Sequence, residues 1–574
     1  MGWNDVFWLF TAPKAHQRKV PLFTLQIPGR AWYTSQSPMA QTSKDDSSHT
    51  TAAQAEPPGE ALHALLDEFR AAIWKRRPIL GEIMRKHGDK ILHLYAKDFM
   101  DVNPTPGLDE RKPELIAMVR ALTAMRLGDK VADDVARQLT KFPLVSTTDH
   151  HGPIDHPFFV NANLISGIPY RERNDPDLQY LVVFSFASVS VNNASAYPRG
   201  ILFHGGVGDS GNLIRLPILP DKLKMGVVYG TRAFTRDDLT KAEIELQKKE
   251  KAGEIATGRG DKVRDLLETY FADKDVLAAP DLNAQITIIN HRLWPKLFHA
   301  PIAQPTVPDT RVPDLLYLEI ETLVDHLFRA RHLNDKTSLM YRMLFDPELM
   351  KHIPELFNGV PGAFSLEKGW GTYFFWAMDE HKHRVRLMIR NGKLESEDGV
   401  FSFDWNAESI KASLTEQKIF PSMLPCYLMV SLYYGMKCLG GFCQVNDLTV
   451  TKEAWATLMR RIGEEKEAEA VQPVQTKELG GDGMVLPYYP TPNGDFVPAT
   501  GIDMVLHEGS TQFEKYAARS EQVTLSEMMN PMLPEIYSVL YAAPERQAHL
   551  LTVTPEQIAR ATGLTEKLVQ GFTR

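Results

Sequence analysis

Three cysteines, Cys426, Cys438 and Cys443, are all that the 574 residues contain. So few, and an odd number, argue against a disulfide framework and for a reducing, cytoplasmic setting. The CLGGFC stretch lacks the further thiols or nearby histidines of a structural zinc site. No uninterrupted apolar run approaches the roughly 18–20 residues of a membrane helix. The best, Met423 to Met436, is followed by Lys437 and reads as a buried helix. An excess of positive charge is missing too. Lys and Arg number 64 against 72 Asp and Glu, a formal net charge of −8, so no global basic field exists for nucleic acid or anionic lipid. Glycine and proline show no period, which removes collagen-like and low-complexity classes. Neither GxSxG nor HExxH occurs.

Hydrophobic residues make up 43% of the chain and charged residues 24%. Those are globular values, enough for a sizeable core. Residues 1–59 read as a poorly ordered extension, because QTSKDDSSHTTAAQAEPPGE has linker chemistry; Met39 is a second candidate start. Residues 60–140 read as three helices: one with Leu62, Leu65, Leu66 and Phe69 on one face, one after Pro78 broken at Gly88, and one over Lys112 to Leu139. Residues 141–235 read as the first part of an α/β core, with strands in FPLVS, LQYLVVFSFASVSV, NLIRLPIL and MGVVYG. A helical insertion is expected over 236–360, opened by Thr235 as an N-cap. The second part of the core, 361–460, carries a hairpin around DEHKH and an Asn391-Gly392 turn. Residues 461–574 are loop-rich and helical. Strands mixed with helices, and apolar strands that do not alternate, favour α/β layering.

The densest polar cluster is Thr147-Thr148-Asp149-His150-His151-Gly152, followed by Asp155-His156 and by Asn161 and Asn163. Imidazoles and carboxylates serve as general acids and bases and as first-row metal ligands. In an α/β sheet, ligands dock at the carboxyl ends of strands. A second cluster, Asn192-Asn193, Arg199-Gly200 and His204-Gly205-Gly206, follows the strongest strand. Its arginine and glycines suit an anion, although HGGVGDSG is not a Walker A loop. Asp379, His381 and His383 read as a polar hairpin turn. The C-terminal IARATGLTEKLVQ has the outline of a helix-turn-helix without basic character.

Asp149-His150-His151 after a strand is similar to the DHH phosphoesterases, which bind manganese, but residues 60–140 offer no earlier strand with paired aspartates. A broader likeness runs over residues 60–460. The chain resembles the cysteine ligase family of bacillithiol biosynthesis, whose TGQQxG…GP loop has the spacing of Thr147 to Gly152 and Pro157. The family's GGPGE segment aligns with Gly440-Gly441-Phe442-Cys443-Gln444. Val189, Ser190, Val191 and Asn192 stand where the family has an acidic motif. The resemblance implies a Rossmann-like core sheet with a helical N-terminal segment and helical insertions. It also implies a nucleotide or small carboxylate at the strand ends.

The expectation is therefore a cytoplasmic enzyme acting on a small polar anionic metabolite, with ligase-like C–N bond formation at a nucleotide-type site. Asp149, His150 and His151 would be catalytic. Thr147, Thr148, Gly152, His156, Asn161, Asn192, Asn193, Arg199, His204, Gly205, Gly206, Gly440, Gly441 and Gln444 would bind substrate. One alternative is a metal-dependent hydrolase in which Asp149, His150, His156 and His204 hold a divalent ion that activates water. Another is a non-catalytic ligand-binding or scaffold protein. A homo-oligomer is compatible with all three; nucleic acid and membrane are not expected partners.

Overall fold

Helix formation begins where the linker chemistry stops. The structure, a computed structural model, describes residues 59–173, 175–193, 196–208, 212–298, 312–491, 496–507 and 513–568. The extension expected over 1–59, Met39 included, lies outside them except for Gly59, which opens helix α1 (Gly59–Arg76). Leu62, Leu66, Phe69 and Ile73 are buried along one face of α1, at the three- and four-residue spacing of a helix. Pro78 then stands at the first position of α2 (Pro78–His87), where its missing N–H is harmless. The break expected at Gly88 separates α2 from α3 (Leu92–Lys97). The single helix expected over Lys112 to Leu139 is instead two, α4 (Lys112–Leu127) and α5 (Asp129–Lys141). Gly128 divides them at φ 87°, ψ 166°, a conformation that favours glycine.

The strands up to residue 439 are β1 (Leu144–Ser146), β2 (Tyr180–Ser185), β3 (Gly200–His204), β4 (Leu213–Pro217), β5 (Asp314–Glu319), β6 (Phe375–Met378), β7 (Arg384–Arg386), β8 (Met388–Arg390), β9 (Lys393–Glu395), β10 (Ser402–Asp404), β11 (Ile419–Pro421) and β12 (Lys437–Leu439), and a further antiparallel pair, Tyr488–Pro490 with Phe496–Pro498, follows. Four of them form a parallel sheet in the order β12-β1-β2-β5. The others make small antiparallel sheets, so the fold is mixed α/β. The Asn391-Gly392 turn joins β8 to β9 with both residues at positive φ, 50° and 73°, as a two-residue hairpin requires. MGVVYG forms no strand; only Val227 bridges to Ser190. The hairpin on this side of the molecule is β3 with β4.

Successive residues of the parallel strands feed different cores. Leu144, Leu181, Val183, Leu315, Tyr317 and Leu439 belong to one apolar cluster; Val145, Tyr180, Val182, Phe184, Leu316, Leu318 and Cys438 belong to the other. A strand buried on both faces shows no alternation in its sequence, which is why LQYLVVFS reads as one apolar run. Helix α6 (Pro157–Arg173) follows β1, as the sequence suggested. The fourth strand, β5, comes from inside the segment read as a helical insertion and passes directly into α9 once α7 (Arg236–Lys251), α8 (Leu282–Leu293) and α9 (Ile320–Ala330) are counted. After β12 comes α10 (Gln444–Arg461). No helix of the described residues is long and apolar enough to cross a membrane.

Glu319, the last residue of β5, is buried and held by two bonds from Arg126 of α4, one of them 2.6 Å long. Burial alone would raise the Glu319 pKa; Arg126 outweighs it and brings the carboxyl down to about 2. Replacing Arg126 with Met should lower unfolding free energy by about 3–5 kcal/mol, because a buried charge is left unpaired. Adding Glu319→Leu should restore most of that loss in a denaturant titration. An equal loss in the single and double variants would show that the pair does not hold this end of β5.

Candidate functional site

Strand β1 ends at Ser146, but its pairing does not. Phe186 N–H donates to the Asp149 carbonyl at 2.9 Å, and His151 N–H donates to the Phe186 carbonyl at 2.8 Å. The expected loop is thereby drawn into the interior. Asp149 is wholly buried, and its carboxylate accepts from Thr148 Oγ1, the Tyr317 hydroxyl and Asn163 Nδ2, the last at 2.7 Å. Burial pushes its pKa up to about 6 against the pull of those donors.

The three histidines of this segment have separate tasks. His151 donates from Nε2 to the Asn283 carbonyl at 3.1 Å, which leaves Nδ1 to accept the Ser185 hydroxyl at 2.7 Å. Both ring nitrogens are thus engaged, and burial lowers the pKa. His150 donates from Nδ1 to Asn193 Oδ1 at 3.1 Å and packs on Phe159. Burial brings it down to about 4, so it is neutral at pH 7. His156 accepts the Phe158 N–H at the start of α6 and is brought down to about 3, by burial first. Gly152 does permit a close approach, but of protein: a β-carbon there would meet the Ala196 carbonyl at 2.8 Å.

The turn after β12 comes to the same end of the sheet. Gln444 Nε2 donates to Thr147 Oγ1, and Thr147 N–H donates to the Leu439 carbonyl at 2.9 Å. A third segment, Leu479 to Gly483, closes over both. Gly440 donates to the Glu478 carbonyl and accepts from Gly480 N–H, each at 2.9 Å. Asn161 Nδ2 reaches the Gly481 carbonyl at 3.3 Å. A β-carbon on Gly441 would collide with Asp482 Oδ2, so the Asp482 carboxyl lies directly against this turn. Burial, then the nearby Asp149, pushes the Asp482 pKa up to about 7; Glu535 of α11 (Leu533–Leu540) adds to the repulsion.

The second polar cluster divides. Asn193 joins the first through His150, while Asn192 folds back, its N–H donating to Ser190 Oγ at 3.2 Å. Arg199 is committed elsewhere: Nε donates to the Leu219 carbonyl at 2.9 Å, and the guanidinium pairs with exposed Asp221. His204 donates from Nδ1 to Asp503 Oδ2 at 2.6 Å, and Arg259 closes on the same carboxylate at 2.6 Å. Gly205 and Gly206 begin the β3–β4 hairpin turn, Gly206 at φ 77°. The metal candidates Asp149, His150, His156 and His204 therefore have different partners, and among the described residues no three His, Cys, Asp or Glu are grouped to hold a metal ion. His383 donates to its own turn residue Asp379 at 2.9 Å, as a polar turn would.

No family model matches the chain, and no curated protein matches it. The residues at the meeting point thus stand on their geometry. Sequence reasoning missed Tyr317, inside a strand read as helix, and Asp482. The signal for Asp482 was the lone carboxylate in LGGDG.

A carboxyl whose folded pKa lies above its unfolded value contributes stability below the unfolded pKa and loses it as pH rises through the folded one. For Asp482 that window runs from about 4 to about 7. Asp482→Asn should therefore gain stability relative to the parent across that window, by on the order of 2–4 kcal/mol. Urea midpoints at pH 4, 5.5, 7 and 8 measure it; a difference that stays flat with pH would mean the carboxyl is not held in this environment.

Proposed function

We propose that this chain is an enzyme with a Rossmann-like core that acts on a small polar anionic metabolite, in ligase-like C–N bond formation. The observation that carries the reading is the junction of Thr147–Asp149 with Gly440–Gln444, tied by the Gln444–Thr147 hydrogen bond. It stands where the strand order reverses, since β2 and β5 extend to one side of β1 and β12 to the other. In open parallel sheets that reversal opens a crevice at the carboxyl ends of the strands.

Asp149 is the group suited to take a proton from an attacking amine. Its pKa is raised to about 6, near the range in which a general base works at neutral pH, and three donors fix its orientation. The turn Gly440–Gln444, at the N-terminus of an 18-residue helix, suits the anionic part of the metabolite or the phosphates of a nucleotide. His150 and His151, expected as bases, support the site from behind. Arg199 is too fully engaged to clamp an anion. Ligand binding without catalysis is the second reading, favoured by the uncharged Val189 to Asn192 segment beyond β2. The metal-dependent hydrolase reading has no set of converging ligands behind it.

Thermal unfolding of the full chain with ATP, ADP, inorganic phosphate and succinate should reveal at least one compound that stabilises it. At about 100 times Kd the gain is about 2.7 kcal/mol. Gln444→Ala and Thr147→Val should remove most of that stabilisation, and Arg199→Ala should leave it intact. The placement fails if no compound stabilises the parent, or if Arg199→Ala loses the effect while Gln444→Ala keeps it.

A further inference from the structure

The residues that would meet a ligand are shut inside the protein. Thr147, Thr148, Asp149 and Gln444 are 1%, 9%, 0% and 7% exposed, so a ligand reaches them only if something lying over them moves. The tip Gly480-Gly481-Asp482-Gly483 lies there. A β-carbon on Gly480 would stand 3.0 Å from Leu439 Cβ and 3.5 Å from Thr148 Cγ2, and one on Gly481 would stand 3.2 Å from Ala162 Cα of α6. Asp482 rests on Gly441.

The chain on either side is anchored, and the tip is not. Residues 471–487 form neither helix nor strand, apart from the bridge of Leu479 to Gly440. Leu479, Met484, Val485 and Leu486 are buried in the same apolar cluster as Leu144 and Leu439. The four residues between Leu479 and Met484 carry no apolar side chain, and three of them are glycine. Gly481 and Gly483 stand at φ 94° and 85°, a region that other residues enter only with strain. Few apolar contacts and small hinge residues are what local opening at low cost requires. Asn161, wholly buried on α6, grips both sides of the tip. Its Nδ2 donates to the Gly481 carbonyl at 3.3 Å, and its Oδ1 accepts the Leu486 N–H at 2.7 Å. Gly480 N–H adds a bond to the Gly440 carbonyl at 2.9 Å.

We infer that Gly480-Gly481-Asp482-Gly483 is a lid over the candidate site, hinged beside Leu479 and Met484 and latched by Asn161, which lifts to admit a ligand to Thr147–Asp149. This rests on the reading of that junction as the ligand site. Lifting the tip gives up the Gly480 and Gly481 hydrogen bonds and leaves the apolar anchors in place. It uncovers Thr148 and Gly441 together.

Alkylation of the full chain by iodoacetamide, read peptide by peptide to separate the native cysteines, tests the lid. The thiol introduced by Thr148→Cys lies under the tip and should react slowly. Adding Asn161→Ala should speed its labelling at least about tenfold, the factor for one lost hydrogen bond of ordinary net strength. Gly480→Ala, whose methyl presses on Leu439, should act the same way and replaces Asn161→Ala if that variant does not fold. Gly441→Cys with Asp482→Cys sets two β-carbons 3.5 Å apart, within the range of a disulfide. Once peptide mapping shows that bridge, labelling at position 148 should stop, and its reduction should restore labelling. Lifting four residues exposes little surface, so the rate should stay nearly flat in low urea. Labelling equal in all variants, labelling undiminished by the bridge, or a rate that climbs steeply with urea as global unfolding would, overturns the lid. If the bridge does not form, the latch and wedge variants and the urea series decide. No ligand takes part, so this outcome is separate from the thermal series with ATP, ADP, phosphate and succinate, whose failure would remove the ligand site and leave the lid.

Discussion

A parallel sheet buried on both faces has nowhere to send unpaired backbone groups except further into the protein. That constraint shapes the carboxyl ends of β1, β2 and β12. Pairing with Phe186 continues beyond β1 through Asp149 and His151, and Gly440 pairs with Glu478 and Gly480 as β12 ends. The polar side chains along these extensions are carried inward with the backbone. Each then needs an internal partner, because an unpaired buried polar group is strongly unfavourable. The buried network of Asp149, Asn163, Tyr317, Thr147 and Gln444 follows from that requirement.

The same requirement separates residues that are polar for support from those left with chemistry to do. His151, His204 and Glu319 have their main polar contacts supplied by neighbours that pin strand ends. Asp149 and Asp482 differ: burial raises both toward neutrality, and the nearby Asp149 raises Asp482 further, so their protonation is adjustable near physiological pH. Two carboxyls of this kind, delivered by segments more than 300 positions apart and meeting where the strand order reverses, are what distinguishes this end of the sheet from the rest of the interior.

Much of the fold could be read in advance where local chemistry is decisive. Thr235 caps α7 with a reciprocal bond to Asp238, Asn391-Gly392 makes its hairpin turn, and Gly563 falls between two short C-terminal helices. The two outer strands of the sheet were not legible. The DLLYLE of β5 runs into α9 with no turn residue between, and a short apolar run does not distinguish strand from helix. The KCL of β12 begins with a lysine. Lys437 is nonetheless buried, because its ammonium donates to the Asp98 and Asp101 carbonyls, at 3.1 and 2.9 Å, and no local pattern announces partners that far away.

By itself the sequence determined the layering of helices and strands, the segments rich in reactive side chains, and the turns that glycine and asparagine make. Those depend on spacing and on single-residue conformational preference, which act over a few positions. Tertiary structure decided which polar segments meet. It joined Thr147 to Gln444, gave Arg199 to Asp221 and His204 to Asp503, and set Asp482 against Asp149. Such choices depend on strand order and on the pairing of buried groups across hundreds of residues, and neither quantity is written in any local stretch of the chain.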